Sequence, residues 1–249
     1  MKIRLVTFDV LHTLITPRHP IHIQYSRAFE PHLGLLDPEA LKRSFSTAFR
    51  QLQAEKPVYG ANSLSWWSEV IRRTAVGAGA DAKAVDASLS LIAPRLMASF
   101  SNKEGYKAFD DSIPALHTLH HDLRVRTAVV SNADSRMRSV LEDLEFPPFL
   151  SPILLSESEG IEKPSPEIFL RALQLVNSEL EPPISPEECL HVGDELECDY
   201  NGAMNAGMNA LLLERLGEER RGAEITGPRH SGSVVKDMTE VLEWVRAHR

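Results

Sequence analysis

The stretch that decides the fold lies at the start of the chain, where residues 3–14 read IRLVTFDVLHTL. Residues 3–8 form a short apolar run with β-branched and aromatic side chains, which is typical of a buried strand. Asp9 ends the run, so the sequence predicts a carboxylate at the carboxyl end of the first strand. Ligands of an open parallel sheet bind at the carboxyl ends of its strands, which makes Asp9 the first candidate functional residue.

Helical patterns replace strand patterns after this stretch. Apolar residues recur at helical spacing from about residue 21 to residue 100, and an Asp-Pro pair at 37–38 marks one helix start. Beyond residue 105, strands and helices alternate again, which indicates a parallel sheet with right-handed crossovers. We therefore predict an α/β core at 1–16 and 105–249, and an all-helical domain at 17–104 inserted after the first strand.

The later strands are predicted from short apolar runs, at 126–130, 152–155, 189–192, 210–213 and 234–235. A polar stretch at 217–233 precedes the last of them, and a final helix follows at 237–247. Polar residues again stand where strands end: Ser131 with Asn132, and Asp194 after Gly193. Lys163 stands just before a predicted helix. We expect two carboxylates, a hydroxyl and an ammonium at one rim of the sheet.

This set of groups suits phosphoryl transfer. A carboxylate can attack phosphorus and form an aspartyl-phosphate. A hydroxyl and an ammonium can hold the equatorial oxygens and neutralise their charge. A second carboxylate can help to bind Mg²⁺, a hard ion that takes one or two carboxylates together with water and substrate oxygens.

Composition narrows the classes of protein and of partner. The chain has 249 residues, of which 43% are apolar and 25% charged, and this balance is that of a globular protein. The net charge of −8 and the lack of a basic stripe argue against a nucleic-acid partner. No apolar run approaches the roughly 20 residues of a membrane span. Two cysteines are too few for a disulfide scaffold, so we expect an intracellular, most simply cytoplasmic, location, and the nucleus stays open.

Four segments, in order and spacing, resemble the motifs of the haloacid dehalogenase superfamily. They read FDVLHTL at 8–14, VSNAD at 130–134, EKPSPEIF at 162–169 and HVGD at 191–194, the last followed by Asp199. The resemblance spans nearly the whole chain and implies a Rossmann-like core with a helical C1 cap. Finer features, an Arg-His-Pro run at 18–20 with Tyr25 and a Cys-Asp-Tyr run at 198–200, resemble the branch named for rhythmically expressed gene 2.

The resemblance also implies a role for each matching residue. Asp9 corresponds to the nucleophile and a metal ligand, and Lys163 to the group that neutralises charge. The Leu11 backbone carbonyl and the Asp194 carboxylate correspond to further Mg²⁺ ligands, with Asp199 supporting them. Ser131 corresponds to a phosphate-binding residue, with Asn132 beside it. The activity implied is Mg²⁺-dependent hydrolysis of a small phosphorylated metabolite, while the oligomeric state stays open.

One residue departs from the phosphatase pattern. Phosphatases of the superfamily usually carry a second Asp two residues after the nucleophile, as general acid and base, and this chain has Leu11 there. Leucine cannot transfer a proton, although its carbonyl can still bind a metal. General acid–base catalysis contributes roughly 10²- to 10⁴-fold, so we expect a slow phosphatase.

Two other functions stay open at this point. A 2-haloacid dehalogenase also uses an Asp nucleophile and lacks the second Asp, but it works without metal, carries Tyr where this chain has Leu11, and lacks the carboxylate present here as Asp194. A protein that keeps the fold as a catalytically weak interaction module is the other possibility, because fold does not determine function. Retention of four candidate site residues argues against that module: Asp9, Ser131, Lys163 and Asp194.

Overall fold

Eight strands are present in the part of the chain that the computed structural model describes, residues 2–60, 62–178, 180–215 and 234–248. They are β1 (Leu5–Phe8), β2 (Ile15–Pro17), β3 (Tyr106–Ala108), β4 (Arg126–Ser131), β5 (Leu150–Leu155), β6 (Cys189–Gly193), β7 (Asn209–Leu213) and β8 (Val234–Val235). Six of them form one sheet in the order β5-β4-β1-β6-β7-β8, and every neighbouring pair is parallel. β2 and β3 form a separate two-stranded sheet. The predicted α/β fold with a parallel sheet is confirmed.

The register of the central strands places three strand ends at one edge. All four residues of β1 are buried, as expected for a strand covered on both faces. Phe8 is paired with Val129 of β4 on one side and with Val192 of β6 on the other. The strand order reverses at β1, and such a switch point is where an open α/β sheet binds its ligands. Asp9, the end of β4 and the end of β6 therefore share the carboxyl edge.

Ten α-helices complete the described residues. They are α1 (Ile21–Leu33), α2 (Pro38–Glu55), α3 (Ser63–Gly77), α4 (Ala82–Ser99), α5 (Ser112–His117), α6 (Arg136–Asp143), α7 (Ser156–Glu159), α8 (Pro166–Asn177), α9 (Gly202–Asn205) and α10 (Met238–Ala247). Two wider, π-type segments, Thr118–Asp122 and Leu196–Asn201, directly adjoin α5 and α9. The sequence pattern predicted continuous helices at both places, so these wider turns are a difference from the prediction.

The chain divides into two compact units. The first consists of Met1–Thr16, Ala108–Ser135 and Glu145–Arg249 and contains the parallel sheet. The second consists of Pro17–Lys107 together with Arg136–Leu144. The described residues between 20 and 100 contain helices and no strand, as the periodicity predicted.

The helix α6 groups with the helical unit, whereas the sequence pattern placed it in the α/β core. Two contacts join α6 to other residues of that unit. The Arg136 guanidinium lies 5.0 Å from the centre of the Trp67 ring, a cation–π contact. The Lys103 N–H donates to Asp143 Oδ2 at 2.8 Å. Neither contact has a signature in the local sequence of α6.

Side-chain caps start three of the four helices of the inserted region, as the capping preference of Asp and Asn predicts. Asp37 accepts a hydrogen bond from Ala40 N at 2.8 Å. Asn62 and Asp81 accept from the N–H groups three residues on, each at 2.9 Å.

No helix of the described residues is long and apolar enough to cross a membrane. The predicted polar stretch at 217–233 lies outside the described residues.

Candidate active site

Asp9 lies directly after β1, and its own main chain holds it at the edge of the sheet. Its N–H donates to the carbonyl of Val192 at 2.9 Å. The residue is 8% exposed, and Lys163 Nζ donates to Asp9 Oδ1 at 2.7 Å. The same ammonium, itself buried, donates to Asp199 Oδ1 at 2.5 Å. One buried cation therefore bridges two carboxylates that lie 190 positions apart in the sequence.

Asn132 places Lys163 in this position through the main chain. Its side-chain amide donates to the carbonyl of Lys163 at 2.8 Å, and its side-chain oxygen accepts from the N–H of Lys163 at 2.7 Å. This paired contact fixes the loop just before α8, whose N-cap is Ser165. Asn132 therefore has a positioning role, and its predicted place beside bound phosphate stays a prediction.

Ser131 ends β4 at the same edge and is 3% exposed. Its hydroxyl lies close enough to the Asp9 carboxylate to lower the pKa of that carboxyl. The structure therefore brings together three of the four groups that the sequence predicted at the rim: a carboxylate, a hydroxyl and an ammonium. All three are shielded from bulk water, which strengthens electrostatic interactions with a bound anion.

Three carboxylates converge around this ammonium. One carboxylate oxygen from each of Asp9, Asp194 and Asp199 lies within 4.8 Å of the others. Asp199 is already engaged by protein groups, because its Oδ1 also lies 3.0 Å from His191 Nε2 and its Oδ2 accepts from Glu195 N at 2.9 Å. Asp9 and Asp194 are therefore the better placed of the three to receive an additional cation.

Gly193 makes this arrangement possible because it has no side chain. A Cβ atom built on Gly193 would collide with the Asp199 side chain, at its Cβ, Cγ and Oδ2 atoms. The carboxylate of Asp199 occupies that space. A glycine is required here for close approach, which is one of the recognised reasons for glycine within a strand.

The charges of the site perturb one another. Burial raises the pKa of Asp9 above its ordinary value, and the Lys163 ammonium counteracts part of that rise. Burial, followed by the charges of Asp9 and Asp199, raises the pKa of Asp194 well above its ordinary value. Burial alone would raise the pKa of Asp199, but Lys163 and the His191 ring hold it below its usual range. The site therefore carries more negative charge than its single ammonium compensates.

This donor set fits Mg²⁺. The cluster consists of carboxylate oxygens, the hard ligands that this ion prefers. The crowding of Asp9 and Asp194 is the electrostatic condition that a divalent cation relieves. Within the described residues, no other group of three or more His, Cys, Asp or Glu side chains has this geometry. The chemistry of the site is thus compatible with the predicted cofactor.

Leu11 lies in the tight turn that follows Asp9. The N–H groups of Leu14 and Ile15 donate to the Val10 carbonyl at 2.9 and 3.0 Å, and the N–H of His12 donates to the Ile15 carbonyl at 2.6 Å. These bonds leave the Leu11 carbonyl out of the turn's own network. Its predicted role as a metal ligand stays a prediction, and its side chain has no group that can titrate.

Arg215 supports this turn from a distant part of the chain, and sequence reasoning missed it. Its Nη2 and Nε atoms donate to the carbonyl of Thr13 at 2.9 and 3.2 Å. The same guanidinium pairs with Asp111 at 2.9 and 3.0 Å and lies over the Phe109 ring. A lone arginine after a strand has no sequence signal that links it to a turn near residue 13.

His191 is the second residue that sequence reasoning missed. It opens the HVGD segment at 191–194, but a histidine inside an apolar strand is typical of a core residue. It is fully buried, and burial lowers the pKa of its ring below the ordinary value. Its two ring nitrogens contact Asp199 Oδ1 and, at 2.8 Å, the hydroxyl of Thr7.

Comparison with known proteins agrees with the fold and with the motifs. The family of haloacid dehalogenase-like hydrolases matches residues 3–207. The human haloacid dehalogenase-like hydrolase domain-containing protein 3 is 33% identical over 242 residues, which are 95% of this chain and 87% of that protein. The Drosophila melanogaster rhythmically expressed gene 2 protein is 26% identical over 221 residues, 85% of this chain and 83% of that protein.

The chain therefore belongs to the haloacid dehalogenase-like hydrolase family, and the resemblance stated from its four motifs is confirmed. Two solved structures show that the shared fold leaves the reaction open. A 2-haloacid dehalogenase from Pseudomonas syringae has a TM-score of 0.65 at 24% identity and covers 98% of both chains. A phosphatase from Thermococcus onnurineus has a TM-score of 0.62 at 20% identity and covers 100% of both.

Proposed function

We propose that this protein is a Mg²⁺-dependent hydrolase of small phosphorylated molecules, which acts through an aspartyl-phosphate on Asp9. The observation that carries the proposal is the cluster of three carboxylates around one buried ammonium. An anionic phosphate enters such a site favourably only together with a cation. The two free thiols, Cys189 and Cys198, support an intracellular location for this activity, cytoplasmic in the simplest case.

In the first step, an Asp9 oxygen attacks phosphorus and a new O–P bond forms, while the bond from phosphorus to the leaving oxygen breaks with its electron pair on that oxygen. In the second step, water attacks the same phosphorus while the bond between Asp9 and phosphorus breaks with its electron pair on the carboxylate. The water protons leave with the inorganic phosphate, and the Asp9 carboxylate is restored. Ser131 and Lys163 hold the equatorial oxygens in both steps. Their burial fixes these donors before the reaction begins, and such preorganisation is usually the largest contribution to catalysis.

Asp9 and Asp194 are the side chains that would hold the metal ion, with the Leu11 carbonyl as the third protein ligand. When bound, Mg²⁺ offsets the repulsion between an anionic nucleophile and an anionic substrate. Asp199 takes no direct part in this binding, because Lys163, His191 and Glu195 already occupy its oxygens. Its role is to hold the ammonium beside Asp9.

The side chain of Leu11 limits the range of good substrates. Leu11 lies two residues after Asp9, so this position has no carboxylic acid to protonate the leaving oxygen or to activate the attacking water. General acid–base catalysis contributes roughly 10²- to 10⁴-fold to the rate. Its loss slows most the substrates whose leaving oxygen is strongly basic and must be protonated as it departs. The groups that leave from acyl and aryl phosphates, carboxylates and phenolates, are weakly basic anions, so we expect these substrates to be hydrolysed faster than alkyl or sugar phosphates.

Hydrolysis of a carbon–halogen bond is the second candidate. The same Asp nucleophile and the absence of an acid at Leu11 would suit it. The carboxylate of Asp194 weighs against it, because a metal-free reaction on an anionic haloacid gains nothing from additional negative charge beside the nucleophile. An interaction module without catalysis would have no need for the buried pair of Asp9 and Lys163.

The test is release of inorganic phosphate from acyl, aryl and alkyl phosphates, with Mg²⁺ and with chelator, alongside release of halide from 2-haloacids. We expect Mg²⁺-dependent phosphate release that Asp9→Asn reduces to background, while Asp122→Asn, a change at an exposed aspartate, leaves it intact. Halide release that persists in chelator would favour the dehalogenase. A folded protein inert toward every substrate would favour the interaction module.

A further inference from the structure

Thr7 and His191 form a buried polar pair behind the candidate site. They are direct neighbours in the register of β1 and β6, and both are 0% exposed. Thr7 Oγ1 lies 2.8 Å from His191 Nδ1. Buried polar groups are costly unless they are hydrogen-bonded, so a paired hydroxyl and imidazole in the centre of a sheet call for a structural or functional reason.

The partners of the ring determine where its proton lies. The Asp199 carboxylate can only accept a hydrogen bond, so the Nε2 atom that faces Asp199 Oδ1 at 3.0 Å must carry the proton. In the neutral ring Nδ1 is then an acceptor, and the hydroxyl of Thr7 donates to it at 2.8 Å, since the other acceptor near this hydroxyl, the Leu190 carbonyl, lies at the longer distance of 3.5 Å. Burial favours this neutral form, because it disfavours a charged ring.

The pair is continuous with the residues of the reaction. Asp199 Oδ1 receives both the His191 ring proton and the Lys163 ammonium, and this ammonium also donates to Asp9. On β6, residues 191 and 193 point to the same face of the sheet, since side chains alternate along a strand. Because position 193 is glycine, the Asp199 side chain fits beside His191 on that face.

We propose that Thr7 and His191 are positioning residues, which orient the Asp199 carboxylate and thereby hold the Lys163 ammonium against Asp9. The proposal rests on the proposed function, in which Asp9 is the nucleophile and Lys163 neutralises phosphate charge. Thr7 donates to His191, His191 donates to Asp199, and Asp199 accepts from Lys163. The pair acts through geometry and touches neither substrate nor metal.

The competing explanation is that the pair serves packing alone. The rings of Phe169 and His191 meet edge to face, with their centres 4.9 Å apart, so His191 is also a packing residue. A packing role predicts that loss of the Thr7 hydroxyl changes stability but leaves the turnover of folded protein unchanged. The positioning role predicts a change of turnover in the folded protein.

Three variants separate these roles. Thr7→Val keeps the shape of the side chain and removes the donor to His191, whereas Thr7→Ser keeps the hydroxyl. Thr127→Val is the matched control: Thr127 lies on the neighbouring strand β4 and is 1% exposed, and its hydroxyl donates to the Phe149 carbonyl at 3.3 Å, outside the proposed chain of hydrogen bonds.

Two readouts apply to each variant: kcat and KM with an aryl phosphate and Mg²⁺, and the ¹⁵N signals of the His191 ring. We expect Thr7→Val to lower kcat about 10-fold with little change in KM, as changes behind reacting groups commonly do. The ¹⁵N signal of Nδ1 should shift, because this atom loses the hydrogen bond that it accepts from Thr7, while Nε2 stays protonated against Asp199. Thr7→Ser should restore both readouts, and Thr127→Val should alter neither.

A folded Thr7→Val protein with unchanged kcat would overturn the proposal, and so would an equal loss of kcat in Thr127→Val. If the wild type hydrolyses no phosphate, the proposed function fails, and the ring signals then decide the hydrogen-bond chain separately. Signals altered in Thr7→Val and restored in Thr7→Ser support the chain in that case. Signals identical in the wild type and Thr7→Val overturn it.

Discussion

Asp194→Asn is the change that tests the electrostatics of the site most directly, with Glu195→Gln as its neighbouring control. Burial and the charges of Asp9 and Asp199 raise the pKa of Asp194, so the native protein binds this proton more tightly than the unfolded chain does. Stability must therefore fall as pH rises from the unfolded value near 4 through the raised native value. Above that range the ionised carboxylate destabilises the metal-free protein.

The size of the effect follows from the spacing of the oxygens. Two unit charges 4.8 Å apart, the limiting separation in this cluster, repel by about 3.5 kcal/mol at an effective dielectric constant of about 20. Lys163 offsets part of this repulsion and solvent screens another part, so we expect Asp194→Asn to stabilise the metal-free protein at pH 8 by about 1–3 kcal/mol. For a chain of this length, each kcal/mol shifts Tm by roughly 2–4 °C.

The assay is thermal unfolding of the wild type and both variants, with chelator or Mg²⁺, at pH 5 and pH 8. We expect the advantage of Asp194→Asn over the wild type in chelator to shrink at pH 5. Mg²⁺ at 100 times its Kd should stabilise the wild type and Glu195→Gln by about 2.7 kcal/mol, and Asp194→Asn far less. Equal loss of this Mg²⁺ stabilisation in both variants, or an Asp194→Asn protein less stable than the wild type in chelator at pH 8, would refute the reasoning.

Two further substitutions test neighbouring positions. Gly193→Ala should displace Asp199, because the added methyl group needs the space that this side chain occupies. We expect the unfolding free energy to fall by about 1–3 kcal/mol, the usual cost of overpacking, and phosphate release to be lost. A Gly193→Ala protein with wild-type Tm and turnover would contradict the close approach of Asp199 to Gly193. Leu11→Asp should raise turnover of alkyl phosphates by up to about 10²-fold if its carboxylate reaches the leaving oxygen, measured beside Tm. A folded Leu11→Asp protein with no gain on any phosphate ester would mean that the missing acid does not limit the reaction.

The order of the core elements could be predicted from the sequence because each has a local signal. The apolar runs at 126–130 and 189–192 lie within β4 and β6, and the Ser165 N-cap starts α8 where it was expected. The paired strands β2 and β3 could not be predicted, because three residues are too short to show a period. Their pairing depends on the chain returning after about ninety residues.

The candidate site was predictable as a set of strand ends, but its internal connections were not. Parallel strands bring their carboxyl ends to one edge, so Asp9, Ser131 and Asp194 could be placed there by topology alone. Nothing in the sequence shows that Asn132 holds the main chain of Lys163, or that Arg215 holds Thr13. These contacts depend on three-dimensional packing between segments that have no shared pattern.

The site combines a complete arrangement for holding charge with an incomplete one for moving protons. Asp9, Lys163 and Asp199 form a buried, hydrogen-bonded group, and the buried ring of His191 is fixed by Thr7 and Asp199 behind it. A ring so engaged is not available to protonate a leaving oxygen. In the proposed reaction the leaving group must therefore depart largely unassisted, and selectivity among substrates arises from the basicity of that group as well as from its shape.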